Sequence, residues 1–220
     1  MIVRPKLHWF RMLFVLRGSV LPVIMPQLLI VTTLAVVVTI LHGQILSWKV
    51  SLNFVPFSLI GLSLAIFLSF RNSTAYARYW EARTLWGAVL NDARDLTRQS
   101  LTLTTDPQLA RPLVMTLCAF AHALKHQLRA TDGATQLALF LPAGDCERVM
   151  RARAKPSMLL LMANEWLGER LRLRQIEPAV VPVLERSLSG MNAALGGCER
   201  IANTPIPFTY AVIIHRCIYL

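Results

Sequence analysis

Residues 51–87 read SLNFVPFSLIGLSLAIFLSFRNSTAYARYWEARTLWG, and two features of this run decide the fold. From Val50 to Phe70 there is no formal charge. About 20 apolar residues cross a bilayer core as a helix, so a membrane helix is predicted from about Leu52 to Phe70, with Pro56 in its first turns. No proline follows between Phe57 and Asp106, and the only glycines in that interval are Gly61 and Gly87. The helix is therefore predicted to continue through Arg71 and Arg78 to about Leu103, far beyond what a bilayer needs.

A second charge-free run lies upstream, from Gly18 to Trp48, and predicts another span from about Val20 to Leu41. The short link His42–Lys49 then makes a tight hairpin of two membrane helices. The apolar stretch is too long for the core of a cleaved signal peptide. Four cations, Arg4, Lys6, Arg11 and Arg17, precede the first span, and Lys49 alone sits in the link. Arg71, Arg78 and Arg83 follow the second span. Lys and Arg concentrate on the cytoplasmic side, so both ends of the hairpin are expected there. The expected location is a plasma membrane, multi-pass, with the N-terminus cytoplasmic and Trp9, Phe10 and Trp48 at its interfaces.

The composition agrees with that reading. Of 220 residues, 55% are hydrophobic and 16% charged, against about 25% charged in ordinary soluble domains. Such apolar content excludes disorder. Four scattered cysteines, Cys118, Cys146, Cys198 and Cys217, exclude a disulfide scaffold. The net charge of +11 invites a nucleic-acid reading. All twelve acids, however, lie beyond residue 70 among the remaining cations, and no aromatic-interleaved platform accompanies them. Nucleic acid is not an expected partner.

Beyond Leu103 the pattern is helical throughout. Asp106-Pro107 is a helix start, an N-cap acid followed by proline at the first helical position. Leu109, Leu113, Leu117, Phe120, Leu124 and Leu128 then form one apolar stripe, ended by Thr131-Asp132-Gly133. Pro142–Asp145 reads as a loop. Lys155-Pro156-Ser157 opens a helix carrying Leu159, Leu160, Ala163, Trp166, Leu167 and Leu171. A last helix is predicted from Pro178 to Ala202, with Val181, Leu184, Leu188, Met191 and Leu195. The chain thus divides into an N-terminal segment 1–17, a membrane hairpin 18–70, a cytoplasmic helical bundle 71–203, and a third membrane segment beginning at 204–220. The fold class is all-α.

Few residues point to chemistry. His122 and His126 stand one helical turn apart, as zinc ligands can, but Ala123 occupies the place of the metalloprotease glutamate. They are read as polar-face histidines, and no metal or cofactor is expected. Arg148, Arg151, Arg153 and Lys155 form a basic cluster able to touch phosphates, with a solvated loop face as its simpler reading. No nucleophile elbow, Walker or dinucleotide pattern is present, and the chain is not read as an enzyme. Gly196-Gly197 reads as close helix packing. Leu62, Ile66 and Phe70 recur every four residues and form one ridge on the second membrane helix. Ser58, Gly61 and Ser63 are small enough to let helices approach.

The run Phe70-Arg71-Asn72-Ser73-Thr74-Ala75-Tyr76-Ala77-Arg78-Tyr79-Trp80-Glu81-Ala82-Arg83-Thr84-Leu85-Trp86-Gly87 resembles the F-R-N-x-x-x-Y-x-R-W-W-E-x-R-x-L-W-G signature of bacterial bestrophin-like channels. Tyr79 stands where that pattern commonly has tryptophan. Met1–Pro5 and Thr204–Phe208 are also similar to the family. The resemblance implies a pentamer around one central pore, a pentameric barrel whose narrow neck is lined by the second membrane helix. Placed relative to Arg78, the neck residues are Leu62, Ile66 and Phe70, the ridge found above. It implies a second, cytosolic aperture, placed here near Val180. The resemblance implies a chloride or other anion channel, as in the animal members, with cation conduction the alternative for bacterial ones, so both signs of ion stay open. Glu81, about 60° around the helix from Ile66, is a candidate vestibule charge. The family pattern continues through two further membrane helices and an acidic segment, so the chain is expected to be C-terminally short of it.

A rival reading makes the chain a non-conducting, membrane-anchored helical module that binds lipid headgroups or a partner protein. The neck motif favours the channel, and a five-fold oligomer would separate the two.

Overall fold

The computed structural model describes residues 21–40, 44–45, 48–49, 54–209, 212 and 216. The expectations for segment 1–17, for Trp9 and Phe10, and for most of 210–220 lie outside the described residues. In chain order the elements are α1 (Leu21–Ile40), a two-residue pair β1 (Gln44–Ile45) and β2 (Trp48–Lys49), and α2 (Phe54–Leu103). There follow α3 (Arg111–Arg129), α4 (Ala134–Leu137), α5 (Ala143–Arg151), α6 (Lys155–Arg172) and α7 (Val181–Asn203). Short 3-10 turns, Pro107–Ala110 and Pro178–Val180, precede α3 and α7. The fold is all-α.

The chain divides into two units, residues 1–60 and 61–220. In the first, α1 carries no charge, and its residues from Leu28 to Ile40 are exposed around the whole circumference. A helix apolar on every side belongs in lipid or in a core. The link is not a bare turn: Gln44 pairs with Lys49 and Ile45 with Trp48 as an antiparallel ribbon.

α2 is continuous for 50 residues, about 75 Å at 1.5 Å per residue. Residues 57–103 form a helix long and apolar enough to cross a membrane, and 24–40 form a shorter apolar one. The reason for the continuity is the absence of proline from Phe57 to Asp106, so the helix passes the Phe70/Arg71 junction without a break.

The second unit is built on one core. Leu113, Leu117, Phe120 and Leu124 of α3 meet Leu159, Ala163, Trp166 and Leu167 of α6, and Leu184, Leu188, Met191 and Leu195 of α7. α2 adds Val89 and Leu96. Trp166 ties α6 to the first 3-10 turn by donating Nε1–H to the Leu109 carbonyl at 3.0 Å. The end of α2 is fastened by an antiparallel bridge between Thr104 and Ile176, with Thr105 N–H donating to the Gln175 carbonyl at 3.0 Å.

Local signals explain the boundaries. Asp106 Oδ1 accepts from Gln108 N–H at 2.9 Å, so the predicted cap forms, but the first four residues after it wind as 3-10. α3 ends on Ala130 in the left-handed conformation (φ 50°), three residues before the glycine that marks its end in the sequence. Pro142–Asp145 is not a loop. Pro142 is the N-cap of α5, its carbonyl accepts from Cys146 N–H at 2.9 Å, and Asp145 in the first turn favours the positive helix end. The short helix α4 was likewise not signalled.

α2 and α7 run antiparallel along a seam with seven-residue steps. Leu85 faces Gly197 and Asp92 faces Gly190. A Cβ on Gly197 would lie 2.7 Å from Leu85 Cδ2, and one on Gly190 would meet Asp92 Oδ2. Burial, then the neighbouring Asp95, push the Asp92 carboxyl above the usual carboxylate value. Gly197→Ala forces the terminal methyls of Leu85 to move and should therefore gain less stability than the same change at an open position. Gly196→Ala, beside open space, should stabilise the bundle by about 0.5–1 kcal/mol. The thermal midpoint of the purified Gly196→Ala variant is expected to lie above that of Gly197→Ala.

Candidate pore helix and its anchorage

The ridge residues lie on one side of α2, within the stretch that carries no charge. Leu62 is 61% exposed, Ile66 47% and Phe70 58%, so none is used in the chain's own core. Gly61 also has open space beside it. Three large apolar side chains offered outward from a membrane helix demand lipid, another helix or a shared axis to cover them.

Eight residues beyond Phe70, Arg78 turns to the opposite side. It donates Nη2–H to the Ile201 carbonyl at 2.7 Å and Nη1–H to the Thr204 carbonyl. These are the last carbonyls of α7, left without helical partners, so the guanidinium caps that helix where Thr204–Pro207 breaks it. Glu81, one turn further along α2, forms an ion pair with Arg200. Arg78 with Thr204 thus extends the seam already traced through Leu85 and Asp92. The sequence motif contains Arg78, but only its distance from the ridge face was legible. Its acceptors are main-chain atoms and leave no mark in the sequence.

The other candidates separate from this site. Val180 closes the 3-10 turn before α7 and is half-buried against the core. It belongs to a different element from the ridge. His122 and His126 converge on Gln136. His122 Nδ1 and His126 Nε2 each lie 2.8 Å from its Oε1, which Lys125 also approaches. His126 Nδ1 bonds Thr131 Oγ1 at 2.7 Å, and the His122 ring stacks on Phe140. Among the described residues no group of three metal-ligating side chains comes together. Arg148 and Arg151 sit on α5 rather than on a loop, paired with Glu165 and Glu147. The hydrogen bond from Arg148 holds the Glu165 carboxyl below its ordinary value.

An all-α chain whose charge-free helix runs unbroken into a packed bundle is a membrane protein. The chain belongs to the bestrophin family: residues 1–220 match the Bacterial/Fungal Bestrophin protein family. It is similar to the voltage-dependent anion channel-forming protein RSc3414 of Ralstonia nicotianae, 48% identical over 222 residues, covering 100% of this chain and 72% of that protein. Similarity to the voltage-dependent anion channel-forming protein YneE of Escherichia coli is 40% over 220 residues, with the same coverage. Among solved structures, a point variant of a bacterial bestrophin homolog from Klebsiella pneumoniae superposes with a TM-score of 0.81 at 34% identity. The match covers 89% of this chain and 74% of that one. The two curated relatives are named as channel-forming proteins.

Arg78→Ala leaves two carbonyls without their charged donor and should cost about 1.5–3 kcal/mol. A lower thermal midpoint and faster hydrogen exchange at residues 201–204 are the expected readouts. Arg78→Lys should recover only part of the loss, because an ammonium lacks the planar fork.

Proposed function

We propose that this chain is a subunit of a homo-pentameric anion channel whose single pore is lined by α2. One observation carries the reading. Leu62, Ile66 and Phe70 form an exposed apolar ridge on a helix that continues unbroken into an anchored bundle. The naming of its relatives as anion channel-forming proteins supports the choice of anions, chloride foremost, over cations.

Five copies would turn the ridge into three apolar rings. Such rings give a permeating ion nothing to replace its hydration shell, so a small change in width or wetting switches conduction. In this reading residues 18–70 are the membrane hairpin, 71–203 the cytoplasmic bundle and 204–220 the start of a further membrane segment. The N-terminus is cytoplasmic and the membrane is the bacterial inner one. Val180 borders the second aperture. Glu81 meets the vestibule as half of an ion pair with Arg200, not as a bare carboxylate, which suits an anion path.

Assembly is supported by apolar surface that the lone chain leaves open. Leu90 is 49% and Leu101 41% exposed, and Leu101 walls an open cavity of about 550 Å³ with Ala93, Thr97, Val114 and Leu117. A neighbouring copy would cover it.

The neck is tested by substituting Leu62, Ile66 and Phe70 together with alanine and recording single-channel currents in planar bilayers. Conductance or open probability should rise, and a chloride gradient should set the reversal potential. Currents identical to the parent's would sink the gate. For assembly, Leu101→Glu should shift the purified protein from a five-fold species to smaller ones, read by light scattering.

A further inference from the structure

The four cations between residues 148 and 155 divide into two pairs. Arg148 forks onto Glu165, with both Nη groups 2.6 Å from its carboxylate oxygens, and Arg151 pairs with Glu147 one turn back. Arg153 and Lys155, between α5 and the first turn of α6, have no ion-pair partner among the described residues. Both line a cavity of about 220 Å³, together with His126, Thr131, Asp132 and Gly133.

The opposite wall of that cavity is a tightly built loop. Thr131 N–H donates to the His126 carbonyl at 3.0 Å, folding residues 130–133 back over the end of α3. Gly133 lies against the His126 ring, where a Cβ would come within 2.9 Å of Cδ2. The ring itself is fixed from both nitrogens, by Thr131 Oγ1 and by Gln136 Oε1. Asp132 Oδ1 is already committed to Ala134 N–H at 3.0 Å. The cavity therefore joins two unpaired cations to a rigid polar wall bearing one engaged carboxylate.

We propose that this cavity binds a small phosphate-type oxyanion. A guanidinium fork matches two oxygens of a tetrahedral anion, and an ammonium adds a compact point charge. A spherical halide would use neither geometry fully. The volume is below the about 300–1,000 Å³ of sites for drug-sized ligands, so the occupant is free phosphate or a similarly small monoester, not a nucleotide. This site is separate from the ridge on α2 and does not depend on conduction.

The test is calorimetric titration of inorganic phosphate into the purified full chain in detergent, at fixed ionic strength. One saturable site per chain is expected, with affinity at least about tenfold lower in Arg153→Ala/Lys155→Ala and measurably lower in Arg153→Gln alone. Arg151→Ala, which touches the neighbouring paired cation, should bind as the parent does. Three results would overturn the proposal. They are no saturable binding, equal affinity in the parent and both cavity variants, or cavity-dependent binding only to phosphatidic acid vesicles, which would mean a lipid headgroup.

Discussion

The packing of α3 against α6 and α7 is what the bundle depends on, and an antiparallel seam ties the long helix α2 to α7 at its side. Arg78 reaches Thr204, Leu85 meets Gly197 and Asp92 meets Gly190, each seven residues from the next on both helices. Residues at this spacing return to one side of a helix, so a single straight seam is enough to hold the two together. Two of its three levels work because α7 offers no side chain. The third works because α7 ends there and its carbonyls are free. Upstream of Arg78, the large apolar side chains of Leu62, Ile66 and Phe70 stay exposed on α2.

Much of the architecture could be read from residue order. The charge-free runs 18–48 and 50–70, the missing prolines to Asp106, and the leucine stripes on α3, α6 and α7 placed five of the seven helices among the described residues to within a few residues. These are strong signals because bilayer thickness and helical periodicity act on many residues at once. Short elements obey different rules. α4 and the first turn of α5 follow from single capping contacts at Gly133 and Pro142, and nothing periodic advertises them. The two-residue ribbon in the link is shorter still.

The site was legible in part, for the same reason. The Leu62, Ile66 and Phe70 ridge is a periodic feature, and the family motif after it is specific. What the ridge is attached to was not visible. Arg78 binds carbonyls, Glu81 finds Arg200 some 119 positions later, and His122, Lys125 and His126 share an amide oxygen on Gln136. Each is a long-range pairing of polar groups, for which spacing along the chain gives no rule. The basic stretch 148–155 shows the limit well. In sequence its four cations look alike, while in the fold two are neutralised by nearby acids and two are not.

The capping of α7 by Arg78 has an evolutionary corollary. Every L-residue carries a carbonyl, so exchanging Ile201 or Thr204 for another side chain leaves the acceptors in place, provided the helix still stops there. Exchanging Arg78 removes the donor that both carbonyls share. Drift should consequently run freely on one partner and be forbidden on the other, an imbalance that ion pairs between two side chains never show.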